Sequence, residues 1–251
     1  MAIIDVHSEI GSTPLWGVAY TDKHLQAKMQ QYGVEYSLVS STVGNSCDFV
    51  RGNMQLSRLI AGQKNLRGCY IVNPNYTEQS QKEFRTYMTA DNAAAIVLTS
   101  GRKNIYVTIA EVEELLNAYR RFLKPVFLYV PNKAAALAAN DIAKAFPNMK
   151  FILLSMGGDD WRIPIVLAER TLNLIPEISG SFSPDKVKFA VDRIGSHRIV
   201  YGSGLPYVDP SSIIALVEDA DISEADKRNI FAGTARRLFK LSPPINININ
   251  E

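Results

Sequence analysis

The sequence predicts an α/β protein, a single (β/α)8 barrel of the TIM type, from three observations. The chain has 251 residues, which is the usual size of one such barrel. Eight short, β-rich apolar runs alternate along it with longer segments of helical periodicity, as in parallel strands joined by helices. No G-x-G-x-x-G motif follows the first run, which disfavours the open nucleotide-binding sheet that the same elements could build.

The predicted strands are short, and two contain uninterrupted apolar stretches, IVL at 96–98 and FILL at 151–154. Such stretches suit strands that are buried on both faces of a parallel sheet. The eight strands are predicted at 3–6, 36–40, 68–72, 94–98, 126–130, 151–154, 174–178 and 199–201. We therefore expect one barrel domain over residues 1–241. The tail at 242–251 alternates Ile with Asn, which leaves a loose end or an added edge strand as alternatives.

The clearest predicted helix spans 108–122, where Thr108 and Glu111 have the spacing of a capping box. Asp160 is predicted to cap the helix after the sixth strand, and Pro184 is predicted to start a later one. The other predicted helices are at 132–146, 161–172, 184–194 and 211–220. These helices fill the gaps between strands, as right-handed crossovers require.

The composition excludes several classes of function. The net charge is only +2, so there is no electrostatic argument for binding nucleic acid or an anionic membrane. No apolar run approaches the ~20 residues that cross a bilayer, and the opening MAIIDVHSEI lacks the pattern of a secretory signal. The only two cysteines, Cys47 and Cys69, form no C-x-x-C pair, which disfavours a disulfide framework or a thiolate zinc site. We expect a cytoplasmic protein, and a homo-oligomer stays open.

Polar residues follow the first predicted strand, at the end where a (β/α)8 barrel carries its active site. Side chains alternate along a strand, so Asp5, His7 and Glu9 are predicted to share one face. His7 and Glu9 could then converge on one ion or on a substrate. The alternative is a polar pair that bonds only to the backbone.

The segment IIDVHSEIG resembles the opening motif of the amidohydrolase-related family, of the amidohydrolase-2 type, in which an apolar run leads to Asp-x-His-x-His. FILLSMGGDDW resembles the sixth-strand segment of that family, PEISGSFS its seventh, and RIVYGSGLPYVDP its eighth. ISEADKRNIFAGTARRLFKL resembles its terminal helices. The segments occur in the order of the family from residue 3 to residue 241, so the resemblance implies a TIM barrel and a metal-dependent hydrolase.

The chain departs from the family at the metal ligands. The family uses two histidines from strand one, further histidines from strands five and six, and an aspartate from strand eight. His7 matches the first histidine, whereas Glu9, Tyr129, Ser155 and Gly204 stand at the other positions. The resemblance therefore implies a degenerate site, in which His7 and Glu9 would hold one zinc or manganese ion weakly or not at all.

Three functional hypotheses remain. The first is a metal-dependent hydrolase with a rebuilt site. The second is a barrel without metal that binds a small molecule, either as an enzyme using His7 and Glu9 for acid–base work or as an inactive ligand-binding or oligomeric partner protein. The third is a decarboxylase-type lyase, since some family members use a Glu ligand on strand one. The residues predicted to line the substrate pocket are Tyr129, Ser155, Trp161, Glu177 and Ser203.

Two further groups are weaker candidates. Arg102 and Lys103 follow the fourth predicted strand and could bind a carboxylate or phosphate, but lone basic loop residues are more often solvated. Cys47 falls in the second βα loop, and we expect an inert thiol because no basic partner is evident beside it.

Overall fold

The computed structural model describes residues 1–13, 17–98, 105–183 and 185–242. Arg102, Lys103, Pro184 and the tail from residue 243 onward lie outside the described residues. The described strands are β1 (Ile3–Thr13), β2 (Val18–Tyr20), β3 (Val34–Ser41), β4 (Leu66–Val72), β5 (Ala93–Leu98), β6 (Val126–Tyr129), β7 (Phe151–Leu154) and β8 (Leu174–Pro176).

The strands form one curled sheet in the order β2-β1-β3-β4-β5-β6-β7-β8. All pairs from β1 to β8 are parallel, and only the short β2 runs antiparallel, against the end of β1. The first strand is longer than predicted, because residues 11–13 continue it into this hairpin. The parallel sheet with helices between its strands confirms the α/β (β/α)8 class.

The eighth predicted run occupies its expected place, but it pairs only through isolated bridges. We call residues 199–205 the closing segment. Val200 donates from its N–H to the carbonyl of Pro176 at 3.2 Å on one side, and Val6 donates to the carbonyl of Tyr201 at 3.0 Å on the other. The closing segment thus joins β8 to β1, and it meets β1 again at its end, where Ser8 bridges to Leu205.

Eleven α-helices are described outside the sheet, most of them covering its outer face. They are α1 (Asp22–Tyr32), α2 (Thr42–Ser46), α3 (Phe49–Leu59), α4 (Thr77–Tyr87), α5 (Ile109–Tyr119), α6 (Lys133–Ala145), α7 (Arg162–Arg170), α8 (Asp185–Ile194), α9 (Pro210–Glu218), α10 (Glu224–Arg228) and α11 (Thr234–Leu238). Within the described ranges, none of these helices combines the length and apolarity that crossing a bilayer requires.

Two of the predicted helix caps can be compared with the structure. The capping box at α5 is confirmed, since Thr108 donates from its N–H to Oε2 of Glu111 at 2.9 Å. The predicted cap of Asp160 on α7 is wrong. Its Oδ2 accepts instead from the N–H of Lys133 at 2.8 Å, at the start of α6, because the loop after β7 folds back over the neighbouring helix.

The strand residues alternate between the barrel interior and a layer packed against the helices. Buried interior residues include Ile4, Val6, Leu38, Ile71, Val97, Phe127, Ile152, Leu154 and Val200. The outer layer includes Ile3, Val39, Val72, Ile96, Leu128, Leu153 and Tyr201. Phe239, just after α11, packs its ring on Phe127 with a centroid separation of 6.0 Å. The C-terminal helix therefore covers one end of the interior and leaves the other, at the carboxyl ends of the strands, for the site.

Candidate functional site

A cavity of about 420 Å³ opens at the carboxyl ends of the strands, within the size range of small-molecule sites. Its deeper wall is largely apolar and includes Leu38, Val97, Phe127 and Leu154. Its polar lining residues are His7, Ser8, Glu9, Ser40, Asn45, Tyr129, Ser155, Ser179 and Tyr207. The arrangement suits a ligand with an apolar body and a few polar groups.

A bulge in β1 brings consecutive residues to the cavity. Asp5 pairs with Ser37 of β3, but Ser8 pairs with Val39, so three steps along β1 match two along β3. An extra residue of this kind redirects side chains beside a site. His7 and Glu9 both line the cavity, as predicted from the sequence, whereas Asp5 lies outside its wall.

His7 is held from behind by a buried carboxylate. Its Nδ1 lies 3.1 Å from Oε2 of Glu177, which follows β8 and has no exposed surface. Glu177 also accepts from the N–H of Ser155 at 3.0 Å, and from the N–H and Oγ of Ser179 at 2.6 and 2.7 Å. Glu177 was predicted to line the pocket. The structure places it behind His7, where protein donors engage both of its oxygens.

The pair favours its charged form. Burial opposes a charge on His7, but the hydrogen bond and the negative charge of Glu177 outweigh it and raise the pKa of His7. Burial would also raise the pKa of Glu177, but the donors around it, His7 first, bring that pKa below its usual value. Because Nδ1 is occupied, Nε2 is the ring nitrogen available to the cavity. No group of the described part of the chain bonds it.

Asp5 and Ser203 form a second buried pair that joins β1 to the closing segment. Asp5 accepts from the N–H of His7 at 3.0 Å, and from the N–H and Oγ of Ser203 at 2.9 and 2.6 Å. Burial nevertheless raises the pKa of Asp5 to about 6. Ser203 was predicted to face the pocket, but it lies outside the cavity lining. Through Asp5, it helps to fix the backbone of His7.

Glu9 lies at the mouth, between two residues that the sequence analysis did not single out. Oε1 of Glu9 accepts from Nδ2 of Asn45 at 2.7 Å, and Oε2 accepts from the hydroxyl of Tyr207 at 3.4 Å. Burial raises the pKa of Glu9, although the charge of His7 and these two donors oppose the shift. Tyr207 belongs to the motif-like segment RIVYGSGLPYVDP, and Asn45 lies in the short helix α2 that directly follows β3. These two positions, one in a family-like segment and one just after a predicted strand, are the sequence features that could have identified Tyr207 and Asn45 as site residues.

The other predicted pocket residues divide between the cavity and the core. Tyr129 and Ser155 line the cavity, and Tyr129 is about half exposed. Ser155 has a positive φ of 67°, a conformation that costs energy for a residue with a side chain and that here accompanies its N–H bond to Glu177. Trp161 is buried away from the cavity, with its ring edge-on to Phe189 at 5.4 Å.

The structure also locates the candidate metal-binding side chains and the two cysteines. In the ranges that the structure describes, no three or more His, Cys, Asp or Glu side chains gather in an arrangement that could hold a metal ion. Cys47 is exposed and Cys69 is buried, and neither is in a disulfide. Cys69 lines the cavity, and burial raises the pKa of its thiol well above the usual range.

Comparisons with known proteins agree with the fold. A family model described as amidohydrolase matches residues 114–241, just over half of the chain. No curated protein matches the chain in sequence. Many solved structures share the fold.

The first is a putative amidohydrolase from Staphylococcus aureus, with a TM-score of 0.77 and 12% identity over 96% of this chain and 100% of that one. A dihydroxybenzoic acid decarboxylase from a Polaromonas species, solved with manganese and an inhibitor, gives 0.75 and 17% over 98% and 99%. A 5-carboxyvanillate decarboxylase from Sphingomonas paucimobilis gives 0.75 and 14% over 96% and 99%.

Proposed function

The chain belongs to the amidohydrolase family, and on that premise we propose that it binds a small molecule in the barrel mouth and exchanges a proton with it through His7, without a tightly bound metal. The observation that carries the proposal is the contact of His7 Nδ1 with the buried Glu177. It orients the ring, favours its protonated form and leaves Nε2 for the ligand.

The residues at the family's metal positions do not fit a divalent ion. A catalytic zinc site usually has three protein ligands, drawn from imidazole, thiolate and carboxylate groups. Here the later positions carry the phenol of Tyr129, the hydroxyl of Ser155 and Gly204, which has no side chain. His7 and Glu9 alone remain, and two ligands are fewer than such a site needs. No step of the proposed chemistry therefore uses a metal.

The chemistry of His7 follows from its partner. Glu177 accepts from Nδ1, which fixes the tautomer and stabilises the imidazolium, so Nε2 can give a proton to a basic atom of the ligand and take it back later. Glu9 supplies a second carboxylate at the mouth as a hydrogen-bond acceptor or base. The apolar wall keeps water from the ligand body and strengthens these electrostatic contacts.

Decarboxylation is a second candidate. The observation that favours it is the similarity in fold to two proteins named as decarboxylases. When a carboxylate leaves the ligand as CO2, the ligand carbon that carried it must take up a proton. His7 is the acid in the cavity that can donate this proton. Two other functions stay open to experiment. One is metal-dependent hydrolysis, and the other is an inactive role in ligand binding or in an oligomer.

The test uses the full chain labelled at its three histidines, followed by NMR while benzyl alcohol or benzylamine is added. We expect at least one of these single-ring probes to shift the His7 signals, before and after dialysis against a chelator. His24, on α1 and outside the cavity lining, is the internal control. Neither probe shifting His7, or a shift that needs added zinc or manganese, would contradict the proposal.

We also propose a cellular compartment and a class of partner for the protein. The two cysteines are unpaired in the structure, which suits a reducing compartment such as the cytoplasm. The only partner that the cavity calls for is a small molecule. Light scattering of the purified chain measures whether it also forms a homo-oligomer.

A further inference from the structure

We infer that the cavity selects a ligand with a cationic amine-type group attached to a flat apolar body, and that Glu9 is the residue that selects it. The inference rests on the proposed function of the cavity and names its ligand class.

The charges around the described cavity sum to a negative value. Among the described lining residues, His7 is the only basic side chain and Glu9 the only carboxylate. The charge of His7 is already matched by Glu177 at 3.1 Å. Behind the wall, buried Asp5 and buried Lys186 carry opposite charges. His7 lowers the cost of the Glu9 charge from a distance, but no described side chain forms an ion pair with Glu9 itself, and a ligand cation would supply that direct partner.

Glu9 is fixed in place yet retains free acceptor sites. Asn45 and Tyr207 each donate one hydrogen bond, to different oxygens of the carboxylate. An ionised carboxylate has about four lone-pair sites, so two remain for a ligand. The two donors hold the side chain at the mouth, which reduces the conformational entropy that binding would otherwise cost.

The surfaces beside Glu9 suit an organic cation. Tyr207 bonds Glu9 and is 55% exposed, and Tyr129 is 48% exposed and also lines the cavity. Aromatic faces attract ammonium and amidinium groups. Deeper in the cavity, Phe127 and Leu154 offer an apolar wall for a ring. A carboxylate ligand would meet Glu9 without any described Lys or Arg in the lining to compensate.

The experiment compares three probes that share one ring: benzylamine, which is protonated at neutral pH, benzyl alcohol and benzoate. Each is titrated into the labelled full chain with the His7 signals as the reporter. We expect benzylamine to bind at least about tenfold more tightly than benzoate, with benzyl alcohol between them. The Glu9→Gln variant should bring benzylamine to about the affinity of benzyl alcohol.

A matched control is Glu113→Gln, which removes one carboxylate from the exposed face of α5 and should leave all three affinities unchanged. If Glu9→Gln does not fold, Glu9→Asp is the second variant. It keeps the charge but moves it closer to the backbone, because Asp has one methylene fewer, and it should weaken benzylamine binding selectively. Benzoate binding as tightly as benzylamine, or an unchanged benzylamine affinity without the Glu9 carboxylate, would overturn the inference while leaving the proposed function intact. Failure of all three probes to shift His7 would overturn both.

Discussion

His7 and Glu177 come from the first strand and from the residue after the eighth, 170 positions apart in sequence, and their side chains meet at 3.1 Å. The closing segment lies between these two strands and brings them together. Glu177 is fully buried, while His7 retains 16% of its side-chain surface. A buried acceptor thus holds the Nδ1 side of an imidazole that lines the cavity.

The first prediction concerns the protonation of His7. Replacing Glu177 by Gln keeps the size of the side chain but removes its charge, so the pKa of His7 should fall relative to the native chain. An NMR pH titration of the three histidines measures it. The signals of His24 and His197 serve as internal references in both chains. A pKa of His7 that is unchanged in Glu177→Gln would show that Glu177 does not stabilise the imidazolium.

The second prediction is a pH window for the stability of this pair. The raised pKa of His7 gives stability that is complete below pH 6.5 and is lost as pH rises through the native pKa. The lowered pKa of Glu177 gives stability that is complete above pH 4.5 and is lost as pH falls through the native pKa. The difference in unfolding free energy between the native chain and Glu177→Gln should therefore be largest between pH 4.5 and 6.5.

Urea denaturation at a series of pH values measures this difference. Breaking a buried pair by removing one partner costs about 3–5 kcal/mol, and Gln should recover part of it by keeping some hydrogen bonds. A difference that stays constant from acid to alkaline pH would contradict the linkage.

The third prediction concerns Lys186, a buried residue of α8 that holds the loop after β8. Its Nζ donates to the carbonyls of Ile178, Ser179 at 3.1 Å and Ser181. Lys186→Met keeps the apolar stem but leaves three acceptors without this donor, so it should cost about 3 kcal/mol of stability. Lys186 is thus a positioning residue for Ser179, whose N–H and Oγ donate to Glu177.

Lys188→Met is the matched control for this change, since Lys188 lies on the same helix and makes exposed ion pairs with Asp192 and Asp221. Its loss should cost about 1 kcal/mol or less. Thermal or urea unfolding compares the two variants. Equal effects of the two changes would show that the buried amine contributes nothing beyond a surface charge.

The fourth prediction concerns the close approach at Gly202. A Cβ added there would stand 2.5 Å from Oε1 of Glu177 and 2.7 Å from Cβ of His7. Gly202→Ala should therefore displace one of the two residues, destabilise the fold by about 2 kcal/mol or more and shift the His7 NMR signals. Gly62→Ala, where only a positive φ opposes the change, should destabilise by about 1–2 kcal/mol without moving His7. An undisturbed His7 in Gly202→Ala would contradict the packing described.

Much of the fold could be predicted, because strand and helix periods are local properties of the sequence. Seven of the eight predicted strands occur as regular strands, whereas the run at 199–201 pairs with its neighbours only through isolated bridges. The short β2 escaped prediction, since three residues give too little pattern to recognise.

The site was less predictable, because it depends on contacts between distant parts of the chain. His7, Glu9, Tyr129 and Ser155 line the cavity at the expected strand ends. The partners that set their chemistry could not be inferred from spacing. Glu177 and His7 can meet only because Gly202 of the closing segment has no side chain to fill the space beside them. Asn45 and Tyr207 meet Glu9 from the short helix α2 and from the turn after the closing segment.

The measurement that tests the central claim most directly is the metal content of the full chain, purified without chelator and then exposed to zinc or manganese. We expect far less than one equivalent of either metal after removal of the excess, and no change in the His7 NMR signals. One full equivalent of tightly bound metal, absent from His7→Ala, would contradict it.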